Sequence, residues 1–150
     1  EEVVSENQEP TKKERRSFEW KSEKIDKLAT SLAKAQAEMK GAKSTSVNPF
    51  FKSNYADLHT IIESSFPYLT KYGLSIIQGH AKDENATFYV TTTLMHESGQ
   101  WVRSRLQMPI GGKQDAQAVG ATTTYARRFS LSAMVGIAQT DDDGESITNR

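Results

Sequence analysis

Arg127 and Arg128 stand side by side in TTTYARRFSLSAMVG (122–136), among small and apolar neighbours suited to burial. Arginine stays charged and presents a rigid fork of N–H donors, so such a pair either makes structural ion pairs or captures phosphate. Asp57 and Asp115 are the acidic partners considered for the first role. A second group, NPFFKSNY (48–55), sets Phe51 and Tyr55 beside Lys52 and Asn54, while Phe50 is assigned to the core. Flat rings for bases and cations for phosphates are the mixture that single-stranded nucleic acid requires. Trp101, Arg103 and Arg105 repeat that mixture at alternate positions of QWVRSRLQM (100–108).

Catalytic constellations are weaker. His59, His80 and His96 lie in different segments without the spacing of an HExxH motif. No G-x-S-x-G elbow or Walker loop occurs, and the GG of PIGGK lacks the strand and spacing of a phosphate cradle. The DDDGE cluster (141–145) resembles half of a two-metal nuclease site in composition only. A solvated acidic tail is the plainer reading of it.

The chain has 150 residues, enough for one domain with its own core, and a formal net charge of zero. That zero conceals a gradient. Between Lys34 and Val135 eleven basic residues face seven acidic ones, a net +4, while acid collects at both ends. A mildly basic body is compatible with a polyanionic partner. There is no cysteine, which excludes disulfides, thiolate metal sites and a cysteine nucleophile. No apolar run approaches the roughly 18 residues of a membrane span, and EEVVSENQEP is no secretory signal, so a cytoplasmic location is expected.

These groups need elements to hold them. Residues 1–19 read as a mobile polar arm, 20–138 as the folded core and 139–150 as an acidic, disordered tail. From Trp20, apolar residues Ile25, Leu28, Leu32, Ala35 and Met39 recur at helical steps up to Gly41. The punctuated stretch from Gly41 reads as a loop until a helix resumes near Tyr55, carrying Leu58, Ile61, Ile62, Phe66 and Leu69 inward. Pro67 should kink or divide that helix. Three strands follow at 74–80, 86–96 and 100–108, joined by KDEN and ESG turns. In the third strand Trp101, Arg103, Arg105 and Gln107 share a face, opposite Val102, Ser104, Leu106 and Met108.

A long Ala-rich helix from Asp115 to about Ile137 completes the order. Its wheel groups Val119, Ala126, Ser130, Ala133 and Ile137 against the sheet, with Arg127 and Arg128 away from the centre of that face. Successive helical residues diverge by about 100°, so one arginine could hold a strand and the other a neighbouring subunit. The expected class is α+β: an antiparallel three-stranded β-meander with two N-terminal helices and the long last helix packed on one face.

Taken together, NPFFKSNYADL, GLSIIQ, TTLMHESGQW, DAQAVG, TYARRFSLSAMVGI and DDDGE resemble the ERF (essential recombination function) family of phage and prophage single-strand annealing proteins, over residues 25–145. The resemblance implies the single-strand annealing recombinase fold, a bent antiparallel three-stranded β-meander packed on a long C-terminal helix, with N-terminal helices. It further implies an ATP-independent recombinase without nuclease activity, assembled as a ring or helical filament, that coats single-stranded DNA and pairs it with a complementary strand. It carries DNA contact onto Asn48, Phe51, Lys52 and Tyr55 in the loop and Tyr125, Arg127 and Arg128 in the helix. Arg103, Arg105 and Lys113 are added from their chemistry alone.

The expected mechanism runs the phosphates along Lys52, Arg103, Arg105, Arg127 and Arg128 in one basic groove, with bases outward. No cofactor is required, with Mg2+ as a candidate modulator of annealing. A phage exonuclease or a host single-strand-binding protein is the candidate protein partner. Three rivals stand beside this reading: a regulator binding double-stranded nucleic acid, a metal-dependent nuclease using Asp141, Asp142 and Asp143, and a plain protein-interaction domain.

Overall fold

The computed structural model describes residues 17–39, 42–43, 46–47, 54–108, 110, 112 and 115–140. The amphipathic repeat of Leu28 and Ala35 forms α1 (Asp26–Glu38), which buries both residues. The helix begins later than its periodicity suggests. The chain at Trp20 to Ser22 is extended instead, held by backbone hydrogen bonds to a strand described below, and tertiary pairing overrides the local helical pattern there.

The stretch read as a loop contains short ladders: β1 (Ala42–Lys43), β2 (Ser46–Val47) and β3 (Asn54–Tyr55), with β2 and β3 antiparallel. Helix α2 (Leu58–Lys71) then starts where Asp57 accepts the Thr60 N–H at 2.8 Å. The carboxylate satisfies one of the donors that a helix N-terminus leaves unpaired. Pro67 lies inside α2 without dividing it. Proline removes one rung of the ladder, and the buried contacts of Ile61, Ser65 and Leu69 hold the helix across it. Glu38 accepts hydrogen bonds from the Tyr72 hydroxyl and from Lys71 Nζ, the latter at 2.9 Å, tying α1 to the end of α2. Those two donors hold the Glu38 carboxyl below the usual carboxylate range.

Strands β4 (Leu74–Lys82), β5 (Phe88–His96) and β6 (Trp101–Met108) form one antiparallel sheet in that order. Helix α3 (Ala116–Val135) follows, capped by Asp115 at its start and by Gly136 at its end. Gly136 has φ 74°, the left-handed conformation that ends helices and favours glycine. The strand β7 (Gln139–Thr140) pairs in parallel with β1. The class is therefore α+β, as expected.

All three helices pack on one face of the sheet. Leu74 and Leu94 enter the main core with Leu28, Ile61, Leu69, Leu131 and Val135. A smaller cluster joins Val90 and Met108 to Ala126 under the first half of α3. The helical wheel needs one correction here. Ala126 and Ser130 are buried as expected, but so are Arg128, Leu131 and Val135, while Ala133 is exposed. Helix α3 touches both the sheet and α2, so its buried arc is wider than contact with the sheet alone would make it.

Candidate nucleic-acid interface

Strand alternation sends every second residue of the sheet away from the helices. On that outer face Arg103 stands opposite Thr93 and Arg105 opposite Thr91, while Ile77 and Gly79 on β4 face the same two threonines from the other side. The two arginines are two positions apart, about 6.7 Å along the strand. This agrees with the basic and aromatic face read from the sequence.

The rings beside them come from two places. Arg103 lies over the Trp101 ring at 4.5 Å, and Arg105 lies between Tyr89 at 4.9 Å and Phe18 at 4.3 Å. Phe18 and Trp20 belong to an extended segment that runs antiparallel along β6. The Arg103 N–H donates to the Trp20 carbonyl at 2.7 Å, the Ser22 N–H donates to the Trp101 carbonyl at 2.9 Å, and Lys21 pairs with Val102. This segment gives the outer face a further edge.

The electrostatics follow from what surrounds the guanidinium groups. Arg103 Nε donates to Thr93 Oγ1 at 2.9 Å, which fixes its plane over Trp101. Arg105 has ring contacts with both Phe18 and Tyr89, and its donors lie in the guanidinium plane. Among the described residues neither arginine forms a salt bridge with a carboxylate. The open concavity at this place, about 510 Å³, is lined by Ser17, Phe18, Glu19, Thr91, Arg103 and Arg105. Two held cations with stacked rings can take a phosphate backbone and leave room for bases.

The helix arginines lie elsewhere. Gln78, on the inner face beside Thr92, donates to the Arg127 backbone carbonyl at 3.0 Å and accepts from Arg127 Nε at 3.4 Å. Arg128 is only 5% exposed, with its guanidinium 4.9 Å from Tyr125 and 5.0 Å from Phe129. Those two rings are each 44% exposed and lie 4.6 Å apart. The sheet thus separates Arg103 and Arg105 from Arg127 and Arg128, so within one chain these four do not share the single groove expected of them, and Lys52 lies outside the described residues. The physical reason is alternation: β6 directs its arginines away from the very face on which α3 packs. Asp57 and Asp115, considered as ion-pair partners for the helix arginines, have their carboxylates engaged as helix caps.

Other candidates fall as follows. Asn48, Phe51, Lys52 and Lys113 lie outside the described residues, as do Asp141, Asp142 and Asp143, and Tyr55 is placed by its backbone in β3. The three histidines remain apart. His59 meets Glu63 at 3.2 Å, His80 is exposed on β4, and His96 bonds Ser31 and Ser98. His96 Nδ1 accepts the Ser98 N–H, so in the neutral ring Nε2 carries the proton towards Ser31 Oγ. Among the described residues no three acidic or histidine side chains gather as metal ligands, and no helix is long and apolar enough to cross a membrane.

A family model, that of the ERF superfamily, matches residues 28–150. The chain belongs to the ERF superfamily. Comparison with curated proteins and with solved structures returned no match. Within this ERF chain, Arg103, Arg105, Tyr125, Arg127 and Arg128 all fall inside the matched span, whereas Phe18 and Trp20 precede it. Together with Tyr89 of β5, those two rings are the candidate site residues that sequence reasoning missed. Phe18 fell in the stretch read as an arm, and Trp20 at the start of a helical pattern. The signal that could have found them is the period-two alternation of Phe18, Trp20 and Ser22 with Glu19 and Lys21 between.

Proposed function

We propose that this ERF superfamily chain binds single-stranded DNA on the outer face of its sheet and anneals it to a complementary strand in phage recombination, without ATP. The observation that carries this reading is the Arg103 and Arg105 pair on β6. Both guanidinium groups are stacked on rings, and neither is salt-bridged among the described residues. Phosphate contacts supply affinity without reading sequence, as an annealing protein requires. Annealing itself needs no fuel, since duplex stacking is favourable by about 1.4 kcal/mol per base-pair step. The protein has only to hold strands extended and reduce their repulsion.

A body with a net charge of +4 between Lys34 and Val135 binds DNA weakly alone, so the reading includes a ring or filament in which many weak contacts act together. Mg2+ then acts as a modulator of annealing rather than a catalytic metal. A phage exonuclease or a host single-strand-binding protein is the expected protein partner.

The test mixes two complementary labelled oligonucleotides with the purified chain, with and without Mg2+ and ATP. Binding, annealing and cleavage are followed together. Annealing faster than without protein, independent of ATP and without cleavage, is the expected result. Annealing no faster than the protein-free rate refutes it, and preference for duplex points to the double-strand-binding rival.

A further inference from the structure

The outer face holds a row that runs from Ile77 through Thr93 to Arg103 and ends at Trp20 in the added edge. Its two apolar ends are unusually open: Trp20 is 60% exposed and Ile77 59%. Scattered exposed apolar residues are ordinary on protein surfaces. Trp20 differs from a scattered residue in being held. Its carbonyl accepts the Arg103 N–H at 2.7 Å, and two residues on, Ser22 Oγ accepts the Trp101 N–H at 2.9 Å. The indole therefore has a fixed address beside Arg103.

The rings of this face divide by role. Trp101 lies under Arg103, and Phe18 and Tyr89 have Arg105 between them, so these three orient cations. Trp20 meets the Phe18 ring in a T-shaped contact, with centroids 4.5 Å apart and planes at 72°, and most of its surface still faces solvent. Covering it would remove apolar area from water at the side of two cations without salt bridges among the described residues. A ligand with flat apolar units joined by anionic linkers meets both demands.

We infer that Trp20 is a base-stacking platform, on which a nucleobase of a single strand rests while its flanking phosphates meet Arg103 and Arg105. The inference rests on the reading that DNA occupies this face. It adds to that reading a contact from ahead of residue 28, outside the span shared with the ERF superfamily. Stacking of a base on an aromatic ring tolerates every base, because each has a flat face. The arginines supply the charge complementarity, and Trp20 makes the strand's bases, not only its phosphates, contribute to affinity.

The test uses the full chain and two probes of equal length, an oligo(dT) and an abasic deoxyribose-phosphate oligomer, with binding followed by anisotropy of a terminal label. Trp20→Ala is expected to weaken oligo(dT) about tenfold and leave the abasic probe unchanged, whereas Trp20→Phe keeps most of the affinity. Tryptophan fluorescence of the intact chain should be quenched by oligo(dT) more than by the abasic probe, and that excess should vanish in Trp20→Phe. This second readout decides the matter if Trp20→Ala does not fold. Unchanged oligo(dT) binding by Trp20→Ala, with losses in Arg103→Ala and Arg105→Ala, overturns the stacking role and leaves the DNA face standing. Equal loss on both probes overturns it too, since Trp20 then serves only to hold the arginines. Failure of the intact chain to bind either probe refutes the functional reading itself.

Discussion

The Gln100 side chain accepts the backbone N–H of Leu28 at 3.0 Å, so α1 is capped from the turn between β5 and β6. Ile25, at the cap position, provides no side-chain bond of its own. The Gln100 amide also donates to Asp26 Oδ1 at 2.9 Å, and that bond is the main reason the Asp26 carboxyl lies below its ordinary range. Gln100→Ala removes both contacts and leaves a helix end unsatisfied. The expected loss is about 1 kcal/mol, read as a lower urea midpoint with unchanged slope.

Arg105 should report on phosphate binding through salt. For single strands the logarithm of affinity falls with the logarithm of salt by about 0.7 per neutralised phosphate. Arg105→Ala is expected to lower that slope by about one such step and to weaken binding for all sequences alike. Arg105→Lys keeps the charge but not the planar fork between Phe18 and Tyr89, and should fall between the two. A slope unchanged by Arg105→Ala would place the phosphates elsewhere.

Arg127 and Arg128, adjacent in sequence, should separate in their effects. Arg128 is buried against Tyr125 and Phe129, so Arg128→Ala removes packing as well as charge and should cost about 2 kcal/mol. Arg127→Ala removes one long bond to Gln78 and should cost under about 1 kcal/mol, because the Gln78 bond to the Arg127 carbonyl survives. Parallel urea titrations of the two variants measure the difference. Equal losses would contradict the deeper burial of Arg128 and the single long side-chain bond of Arg127.

Asp57 gives a dependence on pH. The Thr60 N–H holds its carboxyl below the ordinary aspartate range, so its folded-state pKa is below the unfolded value of about 3.9. A depressed carboxyl contributes stability that is fully present above the unfolded value and is lost as pH falls through the folded one. Asp57→Ala should therefore cost about 1 kcal/mol near neutral pH, and its gap to the intact chain should close below about pH 4. Denaturation midpoints of both proteins between pH 7 and pH 2 provide the check, and a gap that persists at the acid end would contradict the capping role.

The α+β class, the three strands and the long last helix were legible because each rests on local pattern. Alternation along WVRSRLQM already set Arg103 and Arg105 on one face with Trp101. Three relationships were not local. Which way Arg128 faces depended on α3 meeting both the sheet and α2, which a helical wheel drawn for a single partner cannot represent. That Arg103 and Arg105 are walled off from Arg127 by the sheet depended on which of its two faces the helices cover. Trp20 joined the site through the backbone bonds of its segment to β6, an edge whose unpaired donors and acceptors accept a partner from anywhere in the chain, and Phe18 followed through its ring contact with Arg105. Sequence determined the elements and the chemistry each carries, because propensity and periodicity act over a few residues. Tertiary structure decided which chemistries share a surface, because burial and edge pairing join residues far apart in the chain.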